Sequence, residues 1–196
     1  MPDIVRSLPL VEEILDAHRH RAGGNESGWA AYRAHVYRVI NFARVLGPDH
    51  PDRDDKLAIA AAFHDLAVFD TLDYLVPSIA VQDDWLQRTG RQDWSTELAV
   101  AVAEHHRFTR YPPGRPHSDL VEAMRRADLV DVSQGLIRFG LPKAYVAEVR
   151  RSFDAGEFFT RVIPRATLRA VRSRQQPGFL RPGNALARSG HGGAGG

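Results

Sequence analysis

The chain reads as an all-α protein, and three observations lead there. Apolar residues recur at three- and four-residue spacing over most of its length. No stretch alternates in the two-residue rhythm of strands. Proline and glycine punctuate the periodic segments at helix-length intervals. With 196 residues, 43% of them apolar, one domain has enough material for a continuous core.

The first predicted helix runs from Leu10 to Arg21, with Val11, Ile14, Leu15 and His18 on one face and Gly23-Gly24 as its stop. Ser27 is the expected cap of the second, about Trp29 to Leu46, whose buried stripe is Tyr32, His35, Val36, Val39, Ile40 and Ala43. Gly47-Pro48 stops it, and Pro51 to Asp54 forms a turn or a helix start. Lys56 to Leu66 is apolar enough, through Leu57, Ile59, Ala60, Ala61, Ala62 and Phe63, to be the central helix. After a loop around Phe69 to Leu75, Pro77 suits the first turn of a helix from Ser78 to about Thr89. Ser95 is the expected cap of a helix that leads into Glu104-His105-His106. Tyr111 to Pro116 is a loop, and Ser118 and Asp119 start a helix carrying Val121, Met124, Ala127, Asp128 and Val132. Two more helices, Pro142 to Phe153 and Pro164 to Arg174, each begin on a proline. The expected organisation is a helical domain over 1–174 and a flexible, basic Gly/Pro/Arg-rich tail over 175–196.

Composition removes several function classes. The absence of cysteine excludes disulfides, thiolate metal sites and cysteine nucleophiles, and it fits a cytoplasmic protein. There is no apolar run long enough to span a membrane, and Met1 to Leu10 lacks the pattern of a signal peptide. The net charge of +2 is unevenly placed. From Arg165 onward there are six arginines and no acid, which leaves 20 basic against 24 acidic residues in 1–164, so the body is mildly acidic. Phe179 is the single aromatic among those arginines, where a strand-binding groove wants several, which argues against nucleic acid as a partner. Trp85, Trp94 and Phe158-Phe159 are the aromatics available to a homodimer interface, although core packing explains them equally.

The chemistry concentrates at four positions. His64-Asp65 follows Ala60 to Phe63, where a charged Asp is costly to bury unless it is paired or bound to metal. His35 stands in the middle of another apolar stripe, and Asp128 lies between the apolar neighbours Ala127 and Leu129. Each has an ordinary structural role when taken singly: a satisfied core histidine, a helix-end pair, a partner of Arg125 or Arg126. Together, two imidazoles and two carboxylates on three buried helix faces suit a divalent transition metal such as Mn, Fe, Co, Ni or Zn.

The order His, then His-Asp, then Asp on successive helices resembles the HD superfamily of metal-dependent phosphohydrolases. The contexts Tyr32 to Val39, Ala61 to Leu66 and Arg126 to Leu129 carry the resemblance, which covers about 29–139. Leu72 to Ser78 and Ala127 to Gly140 look like a bacterial subgroup of that superfamily. The resemblance implies an HD-domain helical bundle whose central apolar helix carries the His-Asp pair. It implies His35, His64, Asp65 and Asp128 as metal ligands, and hydrolysis of a small phosphorylated metabolite or nucleotide. Dinuclear members place two further histidines between the His-Asp pair and the last Asp. Here His105, His106 and His117 fall in that interval and none lies from Leu66 to Glu104, which favours one ion. A second ion through His105 or His106 stays open, with Asp83 or Asp84 as oxygen ligands; adjacent helical residues diverge, so the two histidines are not expected to reach one ion together.

For proton transfer the expected groups are Asp73, whose position resembles the acid of some HD nucleotidases, and Asp70. Val68 stands where those enzymes place another acid. His105 is a second-metal ligand or a substrate contact. Arg107, Arg110, Arg138 and Lys143 are the cations available to a phosphate, and Asp131, one turn beyond Asp128, is placed to orient a ligand. There is no phosphate-cradling Gly-rich loop and no dinucleotide fingerprint. A synthetase domain and a Gly-Tyr-Pro extension are also missing, which points away from alarmones and cyclic dinucleotides. Because the superfamily includes oxygen-activating members, a di-iron oxygenase or lyase is an alternative, as is a non-catalytic metal- or ligand-binding regulatory module.

Overall fold

The computed structural model describes residues 2–21, 26–71 and 73–153. Among these it contains helices and no strand: α1 (Pro9–Ala17), α2 (Glu26–Leu46), α3 (Arg53–Phe63), α4 (Leu75–Arg88), α5 (Ser95–Glu104), α6 (Ser118–Val132) and α7 (Lys143–Ser152), with a 3₁₀ turn at Gln92–Trp94. The stop at Gly23-Gly24, the helix Pro164 to Arg174, the boundary at 174/175, the tail and Phe158-Phe159 lie outside the described residues.

Several boundaries differ from the sequence reading, for local reasons. Ser27 falls inside the first turn of α2 and is not its cap. Ser95 is the first residue of α5, because the preceding 3₁₀ turn already leads the chain into it. Helix α4 starts at Leu75 with Pro77 in its first turn, where a missing N–H costs nothing because those donors have no intrahelical acceptor. Helix α3 begins at Arg53 after Asp52, whose left-handed φ of 59° turns the chain, and Asp54 and Asp55 complement the positive helix end. It finishes at Phe63, so His64-Asp65 occupies the turn just beyond it rather than its last residues.

Helix α3 is central and touches α1, α2, α4, α5 and α6. Leu57 through Phe63 are each at most 1% exposed, so this helix is buried all round, as its composition requires. Its alanines at 58, 60, 61 and 62 let neighbouring helices approach closely. Helix α2 runs along α6, and α4 packs on α5. Trp85 is a core residue, its ring centroid 5.9 Å from that of Phe63, which removes it as an interface candidate. Trp94 is half-buried, with the Lys56 ammonium 5.5 Å from its ring. Glu12 fastens α1 to α2, accepting from Arg33 Nε at 2.9 Å and from the Tyr37 hydroxyl. No helix among the described residues is long and apolar enough to cross a membrane.

Just beyond the end of α2, Gly47 lies tight against α6. A Cβ there would stand 2.9 Å from Ala123 Cβ and 3.2 Å from the Ala43 carbonyl oxygen. Neither neighbour has a flexible end to move aside. Gly47→Ala is therefore expected to lower stability by about 1–3 kcal/mol through overpacking. Chemical denaturation measures it, and an unchanged midpoint would show that the helices separate freely here.

Candidate metal centre

Four helices deliver six ionisable side chains to one buried point. His35 projects from α2 and Asp128 from α6. His64 and Asp65 come from the turn after α3, and His105 and His106 follow the last residue of α5. His35, His64 and His105 are at most 1% exposed, Asp128 2% and Asp65 3%. His106 is the more open member, its side chain 27% exposed. The ligand atoms form three overlapping triads, His35-His64-Asp128, His64-Asp65-His105 and His105-His106-Asp128, each spanning no more than 4.8 Å.

Hydrogen bonds on the far side of each ring decide which nitrogen faces inward. His64 Nδ1 donates to the Ala61 carbonyl at 2.7 Å, and His105 Nδ1 donates to the Val102 carbonyl at 2.6 Å. Both acceptors are among the last four carbonyls of their helices, which lack intrahelical donors. The end of α3 is fully accounted for: Ala60 O accepts from His64 N, Ala61 O from the His64 ring, Ala62 O from the Tyr32 hydroxyl and Phe63 O from Leu66 N. His35 Nδ1 donates instead to Asp131 Oδ2 at 2.7 Å. Asp131 is fully buried and takes two further bonds from Arg38, Nε to Oδ1 at 2.7 Å and Nη2 to Oδ2 at 3.0 Å. Arg38 is itself fully buried and also donates to the Phe153 carbonyl at 3.1 Å.

With these three Nδ1 protons donated outward, the inward Nε2 atoms of His35, His64 and His105 carry lone pairs. His35 Nε2 and His64 Nε2 stand 2.9 Å apart, and His105 Nε2 stands 3.3 Å from Asp65 Oδ1. Asp128 Oδ1 lies 3.6 Å from His35 Nε2 and 3.9 Å from His64 Nε2. Asp65 Oδ1, Asp128 Oδ1 and His105 Nε2 are buried and make no aligned hydrogen bond among the described residues. Facing lone pairs and orphaned carboxylate oxygens repel one another unless a cation stands among them. Nitrogen and oxygen ligands bound at about 2.0–2.2 Å to one ion are themselves separated by about 3–4 Å, which is the spacing seen. The donor set therefore fits a first-row divalent ion.

Electrostatics agree. Burial, with help from His105 and His35, pushes His64 down to about 4, so it is neutral at pH 7 and able to donate a lone pair. Burial opposes the ionisation of Asp65, and only positive charge or N–H donation on the side of His64, His105 and His106 outweighs it and holds the carboxyl well below its usual range, so with the ring lone pairs turned inward a cation has to supply that charge. For Asp128 burial is opposed chiefly by His106. For Asp131 it is opposed chiefly by the Arg38 charge and then by the His35 hydrogen bond, bringing the carboxyl to about 2. The carboxyl ends of α3 and α5 both point at the cluster, and their partial negative charge favours a cation there.

The other expected residues are placed differently. Asp70 is exposed and pairs with Arg21 at 3.4 Å. Asp73 is exposed, beside buried Tyr74. Arg107 is exposed and pairs with Glu104 at 2.9 Å. Arg138 and Lys143 are exposed on and just after the connection from α6 to α7, with no ion pair among the described residues. Arg125 and Arg126 bind Glu122, not Asp128. His105 and His106 do converge, their ring centroids 3.7 Å apart and both Nε2 atoms within 3.7 Å of Asp65 Oδ1. The expected divergence fails because the regular helix ends at Glu104 and both follow it. Two participants carried no obvious signal. Arg38 is legible in hindsight as a charge one turn after His35 on the same apolar face. Tyr74, whose hydroxyl bonds His106 Nε2, meets a partner 32 residues away and leaves no local trace.

The HD-domain family model matches residues 32–133, more than half of the chain, and the chain belongs to that family. No curated protein and no solved structure matches it.

Removing the acceptor shared by His35 and Arg38 leaves a guanidinium buried without its counter-charge. Asp131→Ala should cost about 3–5 kcal/mol. Because the Asp131 carboxyl is held at about 2 against an ordinary 3.8, its contribution is complete above pH 3.8 and fades as the pH falls toward 2. The stability gap between wild type and Asp131→Asn, measured by denaturation at pH 7 and pH 2.5, should narrow in acid. A gap independent of pH would mean that Asp131 carries no buried charge.

Proposed function

We propose that this chain is a metal-dependent phosphohydrolase that acts on a small phosphorylated metabolite or nucleotide. The observation that carries the reading is the three inward Nε2 atoms facing the buried oxygens of Asp65 and Asp128, inside a chain of the HD-domain family. His35, His64, Asp65 and Asp128 would hold the ion, which we take to be one of Mn, Fe, Co, Ni or Zn. When bound, the ion lowers the pKa of a water and draws charge from phosphoryl oxygens.

The chain's own residues do the rest. Asp131 and Arg38 fix the ring of His35, and the Ala61 and Val102 carbonyls fix those of His64 and His105. Apolar packing around α3 excludes water from the closed side, leaving the side of His106 as the approach for substrate. Arg107 follows His106 and is the cation we assign to a phosphate, with Arg138 and Lys143 as further contacts. Asp73, beside Tyr74 on the loop that reaches His106, is the proton-transfer group we assign first, with His105 next; Asp70 ranks below both because Arg21 engages it. The second reading is a di-iron oxygenase, favoured by the third triad, His105-His106-Asp128.

Elemental mass spectrometry on the full chain, purified without oxygen or an affinity tag, tests the reading. About one divalent ion per chain is expected, lost in His64→Ala. No ion would end the reading, and two irons with oxygen consumption would put the oxygenase first. In a phosphate-release assay, Asp73→Asn is expected to lower turnover about 100-fold with the ion retained. Unchanged turnover would remove Asp73 from the mechanism.

A further inference from the structure

The connection from α6 to α7 presents large apolar side chains to solvent. Leu136 is 88% exposed, Ile137 43% and Phe139 38%, close together in the chain. Single apolar residues on a surface need no explanation, but a cluster marks a contact. The loop that carries them is held in place. Gln134 N donates to the Asp131 carbonyl at 2.9 Å, Gly135 N to Val130 O at 2.8 Å and Leu136 N to Ser133 O at 3.1 Å. The Ser133 hydroxyl oxygen accepts from Ile137 N at 3.1 Å. Gly135 is pressed against α7, where a Cβ would stand 2.8 Å from Val146 Cγ1. The Phe139 ring lies 5.5 Å from the Arg125 guanidinium and 5.9 Å from that of Arg126. Gln134 and Phe139 hold left-handed φ angles of 55° and 46°. Strain of this kind persists only where neighbouring contacts over-determine it, and it clusters where ligands are gripped.

Charge says what the loop would meet. Between Asp131 and Glu148 the chain has two cations, Arg138 and Lys143, and no acid. Both are exposed, with no ion pair among the described residues. A second copy of the chain fits poorly, because a two-fold contact would set these cations against their counterparts. A folded protein partner fits poorly too, since three side chains on one loop fall short of the roughly 800 Å² a side that a stable interface buries. Nucleic acid would use the cations, but Leu136 and Ile137 offer no ring for a base to stack on. An anionic lipid surface uses both features: hydrocarbon accepts the apolar tip without a matched pocket, and headgroup phosphates accept the cations.

We propose that the 133–140 loop docks this chain on anionic lipid bilayers. Leu136 and Ile137 enter the boundary between headgroups and acyl chains, and Arg138 and Lys143 lie at the headgroups. These two cations, assigned above as further contacts for a phosphate, meet lipid phosphates by the same chemistry. One small apolar anchor binds a membrane only weakly, and firm attachment takes a second signal, commonly basic. The six arginines from Arg165 onward, with no acid among them, supply that charge, while the net −4 of residues 1–164 does not. None of this depends on an ion being bound at the metal centre.

The test mixes full-length protein with vesicles of phosphatidylcholine alone, or of phosphatidylcholine and phosphatidylserine, and measures the bound fraction by flotation. Binding is expected to the mixed vesicles only. Leu136→Ser, which leaves every charge in place, should weaken it about 10-fold. Because the chain has no cysteine, Leu136→Cys puts a single thiol on the loop. A nitrobenzoxadiazole dye on that thiol should brighten and shift to the blue with mixed vesicles. The same dye on Val45→Cys should not. Val45 is exposed too, but it lies beside Gly47, which packs on Ala123 about two and a half turns of α6 before the loop. Circular dichroism confirms that each variant is folded. Absence of binding, equal binding to both vesicles, or binding unaltered by Leu136→Ser would overturn the proposal; the last would assign attachment to the arginines alone. A wild-type dimer that Leu136→Ser dissolves, seen by light scattering, would give the patch to a second copy. A Leu136→Cys dye that responds to duplex DNA and not to mixed vesicles would give it to nucleic acid. Either result also overturns the proposal.

Discussion

Negative charge buried where α2, α3, α5 and α6 meet is the constraint around which the rest of this structure is arranged. Asp65, Asp128 and Asp131 are each at most 3% exposed. An isolated carboxylate in such a place would protonate rather than remain charged. Here each is instead held below its ordinary range by histidine or arginine beside it. That balance needs cationic or hydrogen-donating groups from several distant parts of the chain at once. It therefore ties α2 to α6 and the turns after α3 and α5 to both. Apolar burial around α3 stabilises the bundle, and the polar cluster joins side chains from four of its helices and the turns that follow them.

Helix ends supply much of the remaining order. His64 and His105 each occupy the residue after a helix and bond the carbonyl three positions back. One hydrogen bond then does two jobs. It occupies a carbonyl the helix leaves over, and it fixes which ring nitrogen turns inward. The same geometry aims the negative ends of two helices at the point where positive charge is wanted. A histidine one position earlier would remain in the regular helix, with its ring directed elsewhere.

Much of this is legible in the sequence, unevenly. The helical class, the central apolar helix and the set His35, His64, Asp65 and Asp128 can be read from periodicity and from polar residues interrupting apolar stripes. Helix starts are less legible. Ser27 and Ser95 look like caps, yet Ser27 lies within α2 and the chain reaches α5 through a 3₁₀ turn. The convergence of His105 and His106 is hidden because it depends on where α5 stops, which no glycine or proline marks. Tyr74 is hidden because its meaning is a long-range contact. Asp70, close in sequence to the His-Asp pair, is exposed and paired with Arg21, a contact from a distant part of the chain that its local sequence does not announce.

The Arg38–Asp131 pair shows why one part of the centre is costlier than the others. A buried ion pair of this kind is often no more stabilising than apolar residues of the same volume. Its presence has a local explanation in the position of His35. His64 and His105 find spare carbonyls because they stand at helix ends. His35 stands in the middle of α2, where the carbonyls of preceding residues are taken by the helix's own hydrogen bonds. Its Nδ1 proton therefore needs an acceptor from another helix, and Asp131 on α6 provides it at 2.7 Å. A carboxylate so deeply buried keeps its charge only beside a cation, and Arg38, one turn along α2 from His35, is that cation. The chain of need runs from the ligand ring to its acceptor to the acceptor's counter-charge. Each step follows from placing an imidazole on a helix interior rather than at a helix end.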